Sequence, residues 1–245
     1  MCALTSAVPL LCVIPARIGS TRLPHKPLQL VSGTPVITRV VANVLAWGMD
    51  ATVVVAADDA RILDAVAHLP VHGVLTRTDH PSGTARIGEV AARAEFQRHD
   101  VILNVQGDEP FLPREAALGV VEQVLGGADI GTAAQPLDAT ARRNPHRVKV
   151  DVDARGRALR FYRTPTMPAC SRREAAFHHI GVYAFRPATL ARWMTLPPTP
   201  AETHERLEQL RPLHHGMTIG VAILADPVPH GIDTDDDLRH AEALL

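Results

Sequence analysis

The sequence predicts an α/β protein built on a doubly wound, mostly parallel sheet with a β-rich extension. Three observations carry that expectation. Short β-branched runs alternate with longer amphipathic stretches through the first half of the chain. Each run is continuously apolar instead of alternating, as strands covered on both faces are. Past Asp129 the rhythm changes to closely spaced strands.

The first strand is Leu10–Ala16, followed by a helix over about 36–47, a strand Ala51–Ala57 and a helix over about 59–67. A helix over 86–96, a strand over 100–105 and a helix Arg114–Leu125 continue the alternation. Strands are then expected over 148–152, 158–162, 179–185 and 218–224, a spacing that suits antiparallel pieces in a mixed sheet. Two Pro- and Arg-rich stretches, 141–147 and 164–174, read as loops. With no internal repeat and no clean linker, the expectation is one domain over residues 1–245, its β-rich extension covering about 140–225.

Composition narrows the function classes. A chain of 245 residues, 46% of them hydrophobic, is long enough for one sizeable core. Its formal charge of -1 and pI of about 6.9 supply no global basic field for nucleic acid or a membrane surface, which favours small-molecule chemistry. The first apolar stretch, from Ala7 to Ala16, has no basic residue before it and is too short for a bilayer span, so a cytoplasmic location is expected. Cys2, Cys12 and Cys170 form no CxxC pair and leave an odd thiol, which fits a reducing compartment. There are two lysines, Lys26 and Lys149, against 23 arginines. In so arginine-rich a chain, a retained lysine marks a place that needs a compact ammonium in place of a planar fork; chance retention is the competing reading.

The strongest chemical signal follows the first strand. Arg17, Arg22 and Lys26 fall within ten residues, with Gly19, Ser20 and Thr21 between them. Open α/β sheets place ligands at the carboxyl ends of their strands, and three cations beside a turn rich in backbone N–H groups suit a polyphosphate. The second signal is Asn104-Val105-Gln106-Gly107-Asp108-Glu109-Pro110, at the end of a later strand, where an aspartate can hold Mg²⁺ against phosphate oxygens. The third is the acidic run from Asp233 to Asp237: Asp233 completes a metal site, or the run only caps a final helix.

Taken in order, these blocks resemble the 3-deoxy-manno-octulosonate (Kdo) cytidylyltransferases, also called CMP-Kdo synthetases. The resemblance runs through Val13-Ile14-Pro15-Ala16-Arg17, Ser20 to Pro24 with Lys26-Pro27-Leu28, and Asp79-His80-Pro81-Ser82-Gly83-Thr84 with Arg86. It continues through Asn104 to Pro110, Asn144-Pro145 with Val148-Lys149-Val150, His179 to Ala184, Leu207 to Arg211, and Gly231 to Thr234. It implies a nucleotidyltransferase-type fold, Mg²⁺ dependence, a homodimer, and transfer of CMP from CTP to a small acidic acceptor with release of pyrophosphate. By resemblance Arg17, Arg22 and Lys26 hold the CTP phosphates, Ser82, Gly83 and Thr84 lie by the nucleotide, and Asp108 and Asp233 bind the metal. Gln106, Arg163, His179, Tyr183, Glu208 and Gln209 match the acceptor side.

Read without the family, the acceptor residues are more ambiguous. His178 and His179 are adjacent on an expected strand, so one of them faces the core, and Glu208 and Gln209 are expected in an amphipathic helix. The chain also departs from the family pattern: Ala85 replaces an aspartate, Ala57 a threonine and His25 a glycine. These departures bear on the acceptor more than on the reaction. Another sugar acid, or a small phosphonate, is the alternative acceptor, and a catalytically silent nucleotide-binding regulator is a remote one. A dehydrogenase is disfavoured because no GxGxxG follows the first strand.

Overall fold

The computed structural model describes residues 8–20, 22–137, 142, 144–163 and 175–245. Cys2, Thr21, Ala141, Arg143, the stretch 164–174 and with it Cys170 lie outside the described residues. The chain divides into two compact units, Met1–Arg114 with Val228–Leu245, and Glu115–Pro227.

The first unit begins with β1 (Leu10–Ala16), a 3₁₀ turn at Lys26–Leu28 and a small hairpin of β2 (Leu30–Val31) and β3 (Thr34–Pro35). Then come α1 (Val36–Ala46), β4 (Ala51–Ala57), α2 (Ala60–Asp64), β5 (His72–Leu75), α3 (Gly83–Ala91) and β6 (Val101–Asn104). The strands lie in the order β6-β1-β4-β5, every pair parallel. All four carboxyl ends therefore share one edge, where the loops after β1, β4, β5 and β6 meet. Every residue of β1 is buried, and Leu11, Val13 and Ile14 are wholly so, each contributing roughly 1.5–3 kcal/mol of transfer free energy. Helix α1 packs through Val36, Ile37, Val40, Val41 and Val44, a stripe at helical spacing. The β2–β3 turn is Ser32-Gly33, with φ of 46° and 76°, the doubly positive pair that a tight two-residue hairpin requires.

The second unit holds α4 (Arg114–Leu125), which starts at the boundary, β7 (Ile130–Pro136), β8 (Lys149–Val152), β9 (Ala158–Tyr162) and β10 (Ala175–Phe185). It continues with α5 (Pro187–Thr195), α6 (Pro200–Glu205), α7 (Leu210–His214) and β11 (Ile219–Ile223). Strand β7 pairs parallel with β11 and antiparallel with β10, while β8 lies antiparallel to both β10 and β9. The mixed sheet with antiparallel pieces is thus present. Helix α4 sits tightly on it because Gly131 has no side chain: a Cβ there would run into the Val120 carbonyl oxygen. The chain then rejoins the first unit and ends in α8 (Asp235–Ala243), whose N-terminus is closed by a capping box between Thr234 and Asp237.

Several elements depart from the expected ranges. The helix expected over 86–96 is α3 followed by a 3₁₀ turn at Ala94–Phe96, and that expected over 59–67 shortens to α2. Strand β10 is longer than expected, and β5, β7, α5 and α6 had no counterpart in the sequence reading. Glu208 and Gln209 are not helical: α6 ends at Arg206 in the left-handed region (φ 54°), and both residues lie in the turn before α7.

Candidate active site

The site in the first unit is assembled where β1 and β6 end. Gly107 lets the loop after β6 press against the end of β1, since a Cβ there would lie 2.8 Å from the Pro15 carbonyl oxygen. The segment before α8 is held to the same loop, with the Ile232 N–H donating to the Asp108 carbonyl at 2.8 Å. Gly231 permits that approach; a Cβ on it would meet the Glu109 carboxylate at 2.8 Å. Asp108 and Asp233, 125 residues apart in sequence, are thereby brought to one place.

Lys26 stands between them. Its Nζ donates to Asp108 Oδ2 and, at 2.9 Å, to Asp233 Oδ1, while the Arg22 guanidinium pairs with Asp233 Oδ2 at 2.9 Å. Burial by itself would push the Lys26 pKa down, but the charges of Asp108 and Asp233 and the hydrogen bonds to them hold it above the ordinary lysine value. Burial likewise works to raise the Asp233 pKa, and Lys26 followed by Arg22 overcomes it and leaves the carboxyl below its usual range. Two cations and two carboxylates thus neutralise one another. Arg17 differs: its side chain is exposed at the end of β1 with no partner among the described residues. It is free to meet an anion.

The loop before α3 completes this side. Ser82 caps the helix, its hydroxyl accepting the Ala85 N–H at 3.2 Å, and Thr84 is buried. Gly83 faces Pro15 and the Gln106 side chain, with an added Cβ falling 3.4 Å from the one and 3.8 Å from the other. Gln106 itself donates to Asn104 Oδ1 at 3.4 Å. Ala85 is the third residue of α3 and is buried, which places it where a capping box carries its acidic partner. His25 has φ 52° and ψ 34°, the left-handed conformation that explains a family preference for glycine there. Asp58, which no sequence motif singles out as a site residue, forms an ion pair with Arg86 at 3.2 Å, both side chains largely buried. The available signal was Asp58 closing a strand's carboxyl end in the same way as Asp108.

In the second unit, His179 is buried against Phe161 and Tyr183, with ring centroids 5.1 and 5.6 Å away. The Thr132 hydroxyl has one proton, which it donates to the Val182 carbonyl at 2.9 Å, so His179 Nε2 carries the hydrogen that meets Thr132 Oγ1 at 2.9 Å. Burial, with a smaller contribution from His178, drives the His179 pKa down to about 3 and keeps the ring neutral. His178 projects to the other face and accepts from Gln135 Nε2 at 2.8 Å. Burial, aided by the nearby Glu208 carboxylate, raises the Tyr183 phenol well above its ordinary value. Gln209 is buried. The Arg163 side chain donates to the Glu205 carbonyl at 3.0 Å, and its N–H to the Glu205 carboxylate at 3.0 Å. Lys149 is wholly buried and donates to the carbonyls of Asn144 and Arg163, each at 2.5 Å. It ties together the residues on either side of β8 and β9.

Among the described residues, no group of three or more His, Cys, Asp or Glu side chains is gathered to hold a metal ion. Asp108 and Asp233 nevertheless converge on one cationic atom, Lys26 Nζ, so the pair has the geometry to share a cation with phosphate and water oxygens. Cys12 is buried, and burial raises its thiol pKa to about 12, which makes it inert. No helix among the described residues is long and apolar enough to cross a membrane.

A parallel sheet whose carboxyl edge gathers clustered cations and paired carboxylates gives an α/β protein of the nucleotidyltransferase type. Known proteins narrow the class. The model of the family described as cytidylyltransferase matches residues 11–219. A 3-deoxy-manno-octulosonate cytidylyltransferase of Gemmatimonas aurantiaca is 48% identical over 96% of this chain and 93% of that protein. One of Xanthomonas oryzae is 43% identical over 94% and 93%. Among solved structures, a CMP:2-keto-3-deoxy-manno-octonic acid synthetase complexed with CTP superimposes with a TM-score of 0.88 at 34% identity, covering 96% of this chain and 98% of that one. The chain belongs to the cytidylyltransferase family, among the 3-deoxy-manno-octulosonate cytidylyltransferases.

Proposed function

We propose that the chain transfers CMP from CTP to Kdo, releasing pyrophosphate, with Mg²⁺ as its cofactor. The observation that carries this reading is the meeting of Arg22, Lys26, Asp108 and Asp233 at one strand edge, in a chain 48% identical to a relative named for that transfer. Arg17, Arg22 and Lys26 bind the triphosphate and absorb charge as the leaving pyrophosphate forms. Asp108 and Asp233 would hold the metal, which when bound neutralises the phosphate oxygens next to the reacting bond. For this to happen the ion cluster exchanges partners: Lys26 and Arg22 turn from carboxylates to phosphates. The Kdo hydroxyl attacks the α-phosphorus in line, its oxygen forming the new P–O bond as the bond to pyrophosphate breaks and the hydroxyl proton leaves to solvent. Positioning and charge stabilisation supply the rate, with no covalent enzyme intermediate. Acceptor recognition falls to Gln106, Arg163, His179, Tyr183, Glu208 and Gln209. Because His179 is neutral and its Nε2–H is spent on Thr132, it acts as a fixed polar wall and not as a general acid.

The same reading includes a cytoplasmic location and a homodimer; sedimentation of the purified protein checks the dimer. The decisive assay supplies CTP, Mg²⁺ and Kdo, follows pyrophosphate and identifies the CMP adduct by mass. Efficient turnover is expected. Turnover only with another sugar acid or a phosphonate would move the acceptor, and CTP binding without turnover on any acid would mean a silent regulator.

A further inference from the structure

We propose that Asp58 is a positioning residue for the nucleotide site, holding the peptide that follows Arg17 in its CTP-binding conformation. The inference rests on the nucleotide reading above. Asp58 follows β4, the central neighbour of β1, and its side chain is 9% exposed. One carboxylate oxygen, Oδ1, accepts the Ile18 N–H at 2.8 Å. The other faces the Arg86 guanidinium at 3.2 Å. Arg86, with its side chain 4% exposed, also donates to Thr76 Oγ1 and, at 3.2 Å, to the Arg77 carbonyl. Thr76 closes the network by donating to the Ala57 carbonyl at 2.9 Å.

One carboxylate therefore links three loops at the sheet's carboxyl edge, those after β1, β4 and β5, with α3. The chemistry assigns its two oxygens different tasks. Arg17 is exposed and held by no side-chain partner among the described residues, so its direction depends on its backbone, and Asp58 Oδ1 anchors the next peptide. Ordering the loop beforehand spares CTP the entropy of ordering it on binding. Oδ2 serves another purpose. Arg86 is buried and would be left uncompensated without an acidic partner, so the ion pair offsets its charge and fixes the Asp58 side chain in place.

The two tasks separate by substitution. Asp58→Asn retains an oxygen for the Ile18 N–H and loses the charge; Asp58→Ala loses both. Calorimetric titration with CTP and Mg²⁺ is expected to show at least a tenfold loss of affinity for Asp58→Ala, about 1.4 kcal/mol, and a change within threefold for Asp58→Asn. The KM for CTP should rise in Asp58→Ala while the KM for Kdo stays within twofold of the parent. Hydrogen exchange of the Ile18 amide should accelerate in Asp58→Ala alone. Should an unpaired Arg86 prevent folding, Asp58→Asn and Asp58→Ala are compared on an Arg86→Met background, where the same tenfold difference is expected. Equal CTP affinity for the two substitutions, or a parallel rise in both KM values, would overturn the proposal and leave the ion pair a structural brace. A parent protein that does not bind CTP would instead overturn the nucleotide reading, and this proposal with it.

Discussion

Replacing Lys26 by methionine separates the roles of the ion cluster most sharply, because it should move metal and nucleotide affinity in opposite directions. The Lys26 side chain is 17% exposed and touches Asp108 and Asp233, which are 27% and 36% exposed. At an effective dielectric of about 20, a unit pair 4 Å apart interacts by about 4 kcal/mol before desolvation is subtracted. Partial exposure screens this, so the loss of folding stability should be about 1–3 kcal/mol, less than for a fully buried pair. Removing the ammonium leaves two carboxylates facing the vacated position with only Arg22 to offset them. Mn²⁺ should then bind the nucleotide-free protein on the order of 10- to 100-fold more tightly, a shift of about 1.4–2.8 kcal/mol that is well inside the Coulomb term. CTP should bind more weakly, because a cation proposed to meet its phosphates is gone. Paramagnetic resonance titration of Mn²⁺ and calorimetry of CTP measure the two quantities, and circular dichroism confirms the fold. An unchanged or weakened Mn²⁺ affinity in a folded Lys26→Met protein would refute the view that Asp108 and Asp233 face a shared cation position. The parent should also show CTP strengthening Mn²⁺ binding by more than the variant does, since partner exchange couples the two ligands.

Asp108→Asn should remove metal-dependent turnover with the fold retained, and turnover within tenfold of the parent at saturating Mg²⁺ would contradict the metal assignment. His25→Gly relieves a left-handed histidine (φ 52°) and should stabilise the protein by about 0.5–1 kcal/mol, the strain released less the added freedom of the unfolded chain. A lowered melting temperature would show that the histidine makes a compensating contact. His179, buried and neutral with its pKa lowered to about 3, binds its proton in the unfolded chain first. Its contribution to stability is complete above the ordinary histidine pKa of about 6.5 and is lost as pH falls from there towards 3, with a slope of up to about 1.4 kcal/mol per pH unit. Denaturant titrations between pH 5 and 6.5, above most carboxylate titrations, should show this slope in the parent and a flatter one in His179→Gln.

The legible part of the fold was the part whose residues advertise their period. The wholly apolar β1, the mostly apolar β4 and the stripe of α1 were placed within a residue or so, because burial on both faces or on one helical face leaves a direct mark on the sequence. Strand β7 escaped for a physical reason. Its residues Ile130-Gly131-Thr132-Ala133-Ala134-Gln135-Pro136 are small where α4 presses on them, and smallness carries no β signal. Glu208 and Gln209 were misplaced because the apolar spacing around them continues through a break at Arg206, where a left-handed residue redirects the chain without glycine or proline to announce it. The meeting of Lys26 with Asp108 was legible, because the two lie in loops that follow neighbouring parallel strands with carboxyl ends at one edge. Bringing Asp233 to Asp108 was not, since that contact depends on backbone hydrogen bonds between segments far apart in sequence.

The departures from the family pattern change meaning once they are placed. Ala85 and Asp237 both occupy the third position of a helix, behind a Ser or Thr cap. At α8, Asp237 returns the bond and accepts the Thr234 N–H at 2.9 Å, so both halves of the box are made. At α3 only the Ser82 half exists. An acid at position 85 therefore has a structural use that needs no substrate: reaching back to the Ser82 N–H and adding negative charge to the first turn of the helix. Its absence weakens the cap at Ser82 and leaves Arg17, Arg22, Lys26, Asp108 and Asp233 in place. His25 is likewise a matter of backbone conformation, in a turn whose lysine still reaches both carboxylates. Ala57 is a buried strand residue whose carbonyl accepts from Thr76, a bond that any side chain at 57 would permit. Each departure thus finds an account in capping, turn geometry or strand packing, while Gln106, Arg163, His179, Tyr183, Glu208 and Gln209, the positions proposed for acceptor recognition, all match the family pattern.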